Sequence, residues 1–203
     1  GGETVLYRHE KTFFNPTVLA ATVSSDIDMG DLDSKLKTFN AFQYERVGLN
    51  LRPELLVVKD AGSGKDAFAG VAEKIAKESE FNLVLITEDM SVMKAGVEVA
   101  GFKRPLLYAA TEANVDELGG LAKENDLPVA VKADSVDALQ PLTEKLTGMG
   151  IKDIVLDSGS REPKQAFEDQ VAIRRAALKA SNKALGFPTI TFPCEMASNL
   201  DME

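Results

Sequence analysis

Ten polar residues stand where apolar runs of this chain come to an end: Asp26, Lys59, Asp60, Glu88, Asp89, Thr111, Asn114, Lys132, Asp157 and Ser158. Carboxylates in such places can exchange protons or hold a ligand ring by hydrogen bonds, and a lysine can bind an anion. Taken singly, each is what any strand end meeting water carries, and no pair among them is diagnostic of acid–base catalysis. Only the whole set, gathered at one mouth, would make a site. Three other features invite a chemical reading and are weaker. Gly62-Ser-Gly-Lys65 suggests a phosphate loop, but the position five before Gly64 is Lys59 and Asp66 replaces the hydroxyl that a Walker motif needs for Mg²⁺. A flexible loop leading into a helix is the better reading, and nucleotide hydrolysis is rejected. His9 lies in the charged run Arg8-His-Glu-Lys11 and reads as surface. Cys194 ends an apolar run, but its neighbour is Glu195 rather than the base or cation a nucleophilic thiolate requires, so it reads as inert.

The elements that would position these residues are legible as a repeating pattern. Apolar, β-rich runs occur at 18–24, 54–60, 82–88, 105–111, 128–133, 153–159 and 188–194, and segments such as 65–79 and 135–150 carry Ala, Leu, Lys and Glu at helical spacing between them. A strand buried on both faces needs a continuous apolar run, and parallel strands need a helical crossover. Seven strands and six helices then predict an α/β fold, a TIM (β/α)8-type barrel short of one strand, with residues 1–203 as a single barrel domain. Function in that fold belongs to the loops after the strands. The opening, 4–8, reads as a strand followed by a polar turn to Asn15-Pro16, hence an N-terminal hairpin or plug, or alternatively the first barrel strand.

Local signals refine this. Leu32, Leu36 and Phe39 make one face of a helix within 31–42. Val47 and Leu49 give 44–51 an alternation of its own, leading irregularly into the next strand. Asn114-Val-Asp-Glu117 has a helix-start spacing, Pro128 forces the preceding helix to end, and Gly148 and Gly150 flank the exit of the next. The segment 162–185 is the longest helical stretch, stopped at Gly186-Phe-Pro188.

Composition sets outer limits. The chain has 203 residues, 44% hydrophobic and 27% charged, with net charge −9, one Cys and one His. Acidity argues against a nucleic-acid binder. Arg174-Arg175 with Lys179 and Lys183 form a basic helix face, read as solvated surface. A single Cys fits a reducing compartment, and one Cys plus one His make a complete Cys/His metal site improbable. With no apolar run of about 20 residues and no signal peptide, a cytoplasmic location is the expectation. The chain lacks an initiator Met, is short for a barrel and closes on 198–203 like the start of a helix; a fragment of a longer protein is expected.

Three stretches carry a family resemblance: Gly2-Glu-Thr-Val-Leu-Tyr-Arg-His-Glu-Lys11, Arg104-Pro-Leu-Leu-Tyr-Ala-Ala-Thr111 continuing to Leu121-Ala-Lys-Glu-Asn125, and Val155-Leu-Asp-Ser-Gly-Ser-Arg-Glu162. In matching order they resemble the central barrel of the corrinoid/iron–sulfur protein large subunit, the gamma subunit of the acetyl-CoA decarbonylase/synthase complex. The resemblance implies a methyl carrier in the reductive acetyl-CoA pathway or its methanogenic counterpart, taking methyl from a methyl-tetrahydropterin and delivering it to acetyl-CoA synthase. It further implies a cobalt corrinoid and a [4Fe–4S] cluster in the full-length protein, held by C-terminal and N-terminal domains absent here. Partners implied are a small barrel subunit, a methyltransferase and acetyl-CoA synthase, with no nucleic acid and no membrane. One Cys cannot supply the four thiolates of such a cluster, so this piece is expected to be a scaffold with no cofactor, metal or catalytic residues of its own. The alternative is a stand-alone pterin-dependent methyltransferase, because the barrel is similar in shape to those enzymes and Asp157-Ser-Gly159 stands where they have an Asp-Pro-Gly turn. On that reading Glu88, Asn114 and Asp157 are the pocket candidates.

Overall fold

A computed structural model describes residues 4–7, 10–13 and 17–196. Among the described residues ten strands and six α-helices are formed: β1 Thr4–Tyr7, β2 Glu10–Phe13, β3 Ala20–Ser24, α1 Met29–Ala41, β4 Tyr44–Arg46, β5 Leu49–Leu51, β6 Leu55–Lys59, α2 Lys65–Glu78, β7 Asn82–Ile86, α3 Met90–Ala100, β8 Leu106–Ala110, α4 Val115–Asn125, β9 Val129–Lys132, α5 Val136–Gly148, β10 Ile154–Asp157 and α6 Pro163–Lys179. Six of the strands are parallel and alternate with helices, so the fold is α/β as the pattern predicts. The residues fall into two compact units.

One unit is Thr17–Tyr108 with Asn125–Leu127. In it β3 pairs with β6, β6 with β7, and β7 with β8, all parallel and in sequence order. Each main strand lies beside its predecessor, as in the wall of a singly wound barrel; a doubly wound sheet reverses order at a switch point. This is consistent with a partial TIM-type barrel. The core explains the apolar runs: Leu56, Val57 and Val58 of β6 and Leu83, Val84 and Leu85 of β7 are buried whichever face they take, as are Phe68, Val71 and Ile75 of α2 and Met93 and Val97 of α3. The two helices approach closely because position 96 is Gly; a Cβ there would lie 2.7 Å from the Phe68 ring. β3, at the end of its ladder, alternates buried Val23 with exposed Thr22 and Ser24, the period of a half-covered strand.

The stretch 44–51 is an antiparallel hairpin, β4 with β5, rather than an irregular lead-in. Its turn, Val47-Gly48, has φ of +49° and +76°, the sign at both central positions that a type I′ turn requires. Val at a left-handed position hides this turn from a sequence reading.

The other unit is Gly1–Pro16, Ala109–Glu124 and Pro128–Glu203. β1 and β2 form the expected N-terminal hairpin, pairing Thr4 with Phe13 through to Tyr7 with Glu10. β9 and β10 run parallel, with Ile154 opposite Val129 and Asp157 opposite Lys132. Val129, Ala130, Val131, Ile154 and Leu156 form its core with Leu118 of α4, Leu139 and Leu146 of α5 and Ile173 of α6. Gly119 lets α4 meet α5, since a Cβ would sit 2.9 Å from Leu146. The last expected strand, 188–194, is reduced to one parallel bridge between Leu156 and Thr189, in which Leu156 N donates to Pro188 O (2.7 Å) and Ile190 N to Leu156 O (2.9 Å). Pro188 has no N–H to extend that ladder backwards, and Pro193–Glu195 turns into a 3-10 helix instead of continuing it.

Candidate functional site

In the first unit the tips of β3, β6 and β7 are tied together by Asp60. Its Oδ2 accepts from the Thr87 hydroxyl at 2.8 Å, and its Oδ1 accepts from Gly62 N at 2.9 Å and, at the limit of hydrogen bonding, from the Ser25 hydroxyl at 3.5 Å. Ser25 is buried and in turn accepts from Ala61 N (3.0 Å) and shares a hydrogen bond with Ser63 (2.8 Å). The strand ends are also stitched by backbone, Ser25 N to Lys59 O and Asp60 N to Ile86 O. The glycine-rich loop is therefore a polar latch closed on its own carboxylate. Asp89 caps α3, accepting from Ser91 N at 2.7 Å, and its carboxyl lies below the ordinary aspartate value, chiefly through the Ser91 hydroxyl and then the Ser91 amide. Asp26 accepts from the Ser24 hydroxyl, and Lys59 and Glu88 are exposed.

The second unit holds the more developed cluster, after β10. Asp157 is 2% exposed and grips Arg161 through both oxygens: Nη1 to Oδ1 at 3.1 Å and Nη2 to Oδ2 at 2.9 Å. Gly159 N adds a third donor to Oδ1 at 2.8 Å. The guanidinium extends this grip, donating from Nε to Glu195 Oε2 at 2.7 Å and stacking 4.6 Å from the Phe192 ring centre. A planar fork matched to a carboxylate and laid on an aromatic face is a task for Arg and not for Lys. The bend depends on Gly159, whose φ is +75° and whose missing Cβ would come within 2.6 Å of the Ala133 carbonyl oxygen.

Beside this clasp, an open cleft of about 300 Å³ lies between the starts of α5 and α6, with Asp134, Ser135, Asp137, Ser160, Gln165 and Asp169 on its walls. Ser135 caps α5 at Ala138 N. For Asp169, burial pushes the carboxyl up, but hydrogen bonds from Ser160, Gln165 and Ser158 outweigh it and leave it below the ordinary value. Asn114 is half-buried and turned back on its own strand end: Oδ1 accepts from Thr111 N (2.7 Å) and Oγ1 (3.2 Å), and Nδ2 donates to Ala109 O (3.2 Å).

Of the three pocket candidates, Asn114 and Asp157 thus have their side chains engaged within the unit that contains them, while Glu88 is an exposed residue of the other unit. Lys132 is half-buried at the end of β9, and Cys194 is an exposed thiol. His9 lies outside the described residues. Sequence reasoning missed the partners, Ser25, Ser63, Thr87, Arg161, Asp169 and Glu195. Arg161 and Ser160 did stand in the signature 155–162, but nothing in the sequence ties Arg161 to a residue 34 positions further on. Among the described residues, no group of three or more His, Cys, Asp or Glu is placed to hold a metal ion. No helix among them is long and apolar enough to cross a membrane.

The chain is an α/β protein in which strand-tip side chains of each unit contact one another, Asp60 with Thr87 and Asp157 with Arg161. The chain belongs to the family described as CO dehydrogenase/acetyl-CoA synthase delta subunit, whose profile matches residues 1–202. It is 35% identical over 190 residues to the corrinoid/iron-sulfur protein large subunit of Moorella thermoacetica, covering 94% of this chain and 43% of that protein. It is 35% identical over 198 residues to the acetyl-CoA decarbonylase/synthase complex subunit gamma 2 of Methanosarcina mazei, covering 95% and 42%. With subunit gamma of that complex from Methanopyrus kandleri it shares 36% over 200 residues, covering 95% and 43%. The chain therefore spans about two-fifths of the length of these relatives.

Proposed function

We propose that residues 1–203 are the barrel scaffold of a cytoplasmic corrinoid/iron–sulfur methyl carrier, which takes methyl from a methyl-tetrahydropterin and hands it to acetyl-CoA synthase. The scaffold holds the modules that react and makes no bond itself. Its partners on this reading are a small barrel subunit, a methyltransferase and acetyl-CoA synthase. The names of the relatives support the pathway. The observation that carries the scaffold role is the Asp157 clasp: the carboxylate best placed to bind a ligand is buried and already satisfied by Arg161 and Gly159.

The residues present do not fit an iron–sulfur cluster of the family's kind. An iron–sulfur cluster takes four thiolates and Cys194 is the one cysteine of the chain. The cleft beside Asp169, about 300 Å³, is at the lower end of what a drug-sized ligand occupies, and a corrinoid is larger still.

The test is a spectral titration of the chain with hydroxocobalamin, together with calorimetry against methyl-tetrahydrofolate. The scaffold reading expects no spectral shift and no saturable heat, and complex formation with the small subunit in sedimentation. Tight cobalamin binding would overturn it. Saturable pterin binding abolished by Asp157→Ala would replace it with the methyltransferase reading.

A further inference from the structure

Among the described residues β10 pairs with β9 and ends the order of strands. Val129 N donates to Asp153 O (3.0 Å) and Ala133 N to Asp157 O (3.2 Å), so positions 153 and 157 turn their carbonyls to β9. The alternation of a parallel ladder turns Leu156 to the opposite edge. There its N–H meets Pro188 O (2.7 Å) and its carbonyl meets Ile190 N (2.9 Å). An edge left bare invites pairing with another chain. The segment that follows α6 covers this one with a single bridge.

That segment is fastened at two points and lies loosely between them. At the near end Leu185 is buried and Asn182 Nδ2 donates to Gln140 Oε1 of α5 at 2.9 Å. At the far end Phe192 is buried with the Arg161 guanidinium 4.6 Å from its ring centre, and Glu195 Oε2 accepts from Arg161 Nε at 2.7 Å. Between them Phe187 and Ile190 are half-buried, and Gly186, Pro188, Thr189 and Thr191 are exposed. Thr189 Oγ1 donates to Gln170 Oε1 of α6 at 2.6 Å, also at the surface. Few buried apolar contacts and exposed hydrogen bonds mark the parts of a fold that open first. Arg161 is the fixed side of the far fastening, because its other donors grip buried Asp157, which Gly159 N holds as well. When Glu195 and Phe192 leave, the guanidinium keeps its place.

We propose that residues 186–196 form a releasable strap over the edge of β10, which opens as one piece while β9 and β10 stay paired, with Arg161 as the post that holds its far end. Opening frees the N–H and carbonyl of Leu156 and uncovers Phe192; closing covers them again. The strap is thus a conformational device of this unit, a guard that gives the strand edge an open and a closed state. The inference stands on contacts inside one unit and does not rest on the scaffold reading, so a failure of either leaves the other standing.

The test is amide hydrogen exchange of the intact chain, read residue by residue by NMR in low concentrations of urea. Leu156 and Ile190 report the strap, and Val129 and Ala133, bonded across the other edge of β10, report the β9–β10 pair. Leu156 and Ile190 are expected to share one protection factor, about tenfold or more below that of Val129 and Ala133. Urea should lower it only slightly, since opening a strap exposes little surface, and should lower that of Val129 and Ala133 steeply. Glu195→Gln removes one charge of an exposed pair and should cut the protection of Leu156 and Ile190 about threefold. Phe192→Ala should cut it about tenfold or more. A steep urea dependence shared by all four amides would overturn the proposal, because the segment would then open only with the whole unit. So would protection of Leu156 and Ile190 that neither variant changes, which would show that the fastening at Arg161 holds nothing.

Discussion

At the scale of single residues, this protein spends its best-placed polar groups on itself. Asp157 is buried with three donors around it, so removing one member of its ion pair strands the other away from water. Breaking a buried pair from one side costs about 3–5 kcal/mol. Arg161→Ala is expected to cost about 3 kcal/mol or more in urea unfolding, and to restore part of that when Asp157→Asn is added; a loss under roughly 0.5 kcal/mol would show that the clasp is not structural. Gly159→Ala asks for a left-handed residue and a Cβ 2.6 Å from a backbone oxygen that cannot move aside as a side-chain tip would. A loss of at least about 2 kcal/mol is expected, read by the same unfolding curves. Asp169 adds a pH dependence. Its carboxyl is held below the ordinary aspartate value, so the folded state binds that proton less readily than the unfolded chain does. Its stabilisation is complete above the ordinary value of about 4 and is lost as pH falls through the lowered one. Asp169→Asn should therefore flatten the decline in melting temperature below about pH 5, and an unchanged acid slope would assign that decline to other carboxylates.

At the scale of elements, the sequence is readable where burial dictates it and opaque where a pairing is local or distant. The runs around 54–60, 82–88, 105–111, 128–133 and 153–159 become β6 to β10 with ends trimmed by one or two residues, because strands covered on both faces must be continuously apolar. The run 188–194 is apolar too, but Pro188 lacks a donor at its start and Pro193–Glu195 turns into a 3-10 helix at its end, and a single bridge survives. α6 stops at Lys179, earlier than the helical pattern to 185, and Ser181 has a left-handed φ of +54° two residues beyond its end. The strand tips were legible as polar positions, yet their contacts were not. Ser25, Ala61 and Ser63 meet across 36 to 38 residues, and hydroxyls carry no periodic signal that announces a partner. The β4–β5 hairpin was missed for a sharper reason. Its first turn residue is Val47, at φ +49°, where Asn, Asp or Gly is the recognisable choice. A β-branched residue there carries about 1–2 kcal/mol of strain. Val47→Asn should then stabilise the chain by about 1 kcal/mol in thermal unfolding, since Val47 is 94% exposed and gives up no packing. A destabilised variant would mean that this side chain has a use that the turn itself does not reveal.

At the scale of the molecule, a net charge of −9 and an open strand edge act in opposite directions. Among the described residues β3 is hydrogen-bonded to β6 on one side and ends the order of strands on the other. Val18 and Leu19, just before it, are 44% and 53% exposed, so the edge has apolar side chains beside a backbone that no other described strand pairs. Such an edge is a template for another strand. Copies that meet edge to edge must first bring two acidic molecules together, and this repulsion reaches about 10 Å at 0.1 M salt but only about 3 Å at 1 M. Light scattering is therefore expected to report a mass near 21.9 kDa in dilute buffer and a rising average mass as salt is raised. Thr22→Lys places a charge on the exposed face of the edge strand and should suppress the rise, whereas Phe167→Asp on α6 should leave it unchanged. A mass that stays monomeric at every salt concentration would show that the edge of β3 is protected. A rise abolished by Phe167→Asp would move self-association to the exposed apolar side chains of α6.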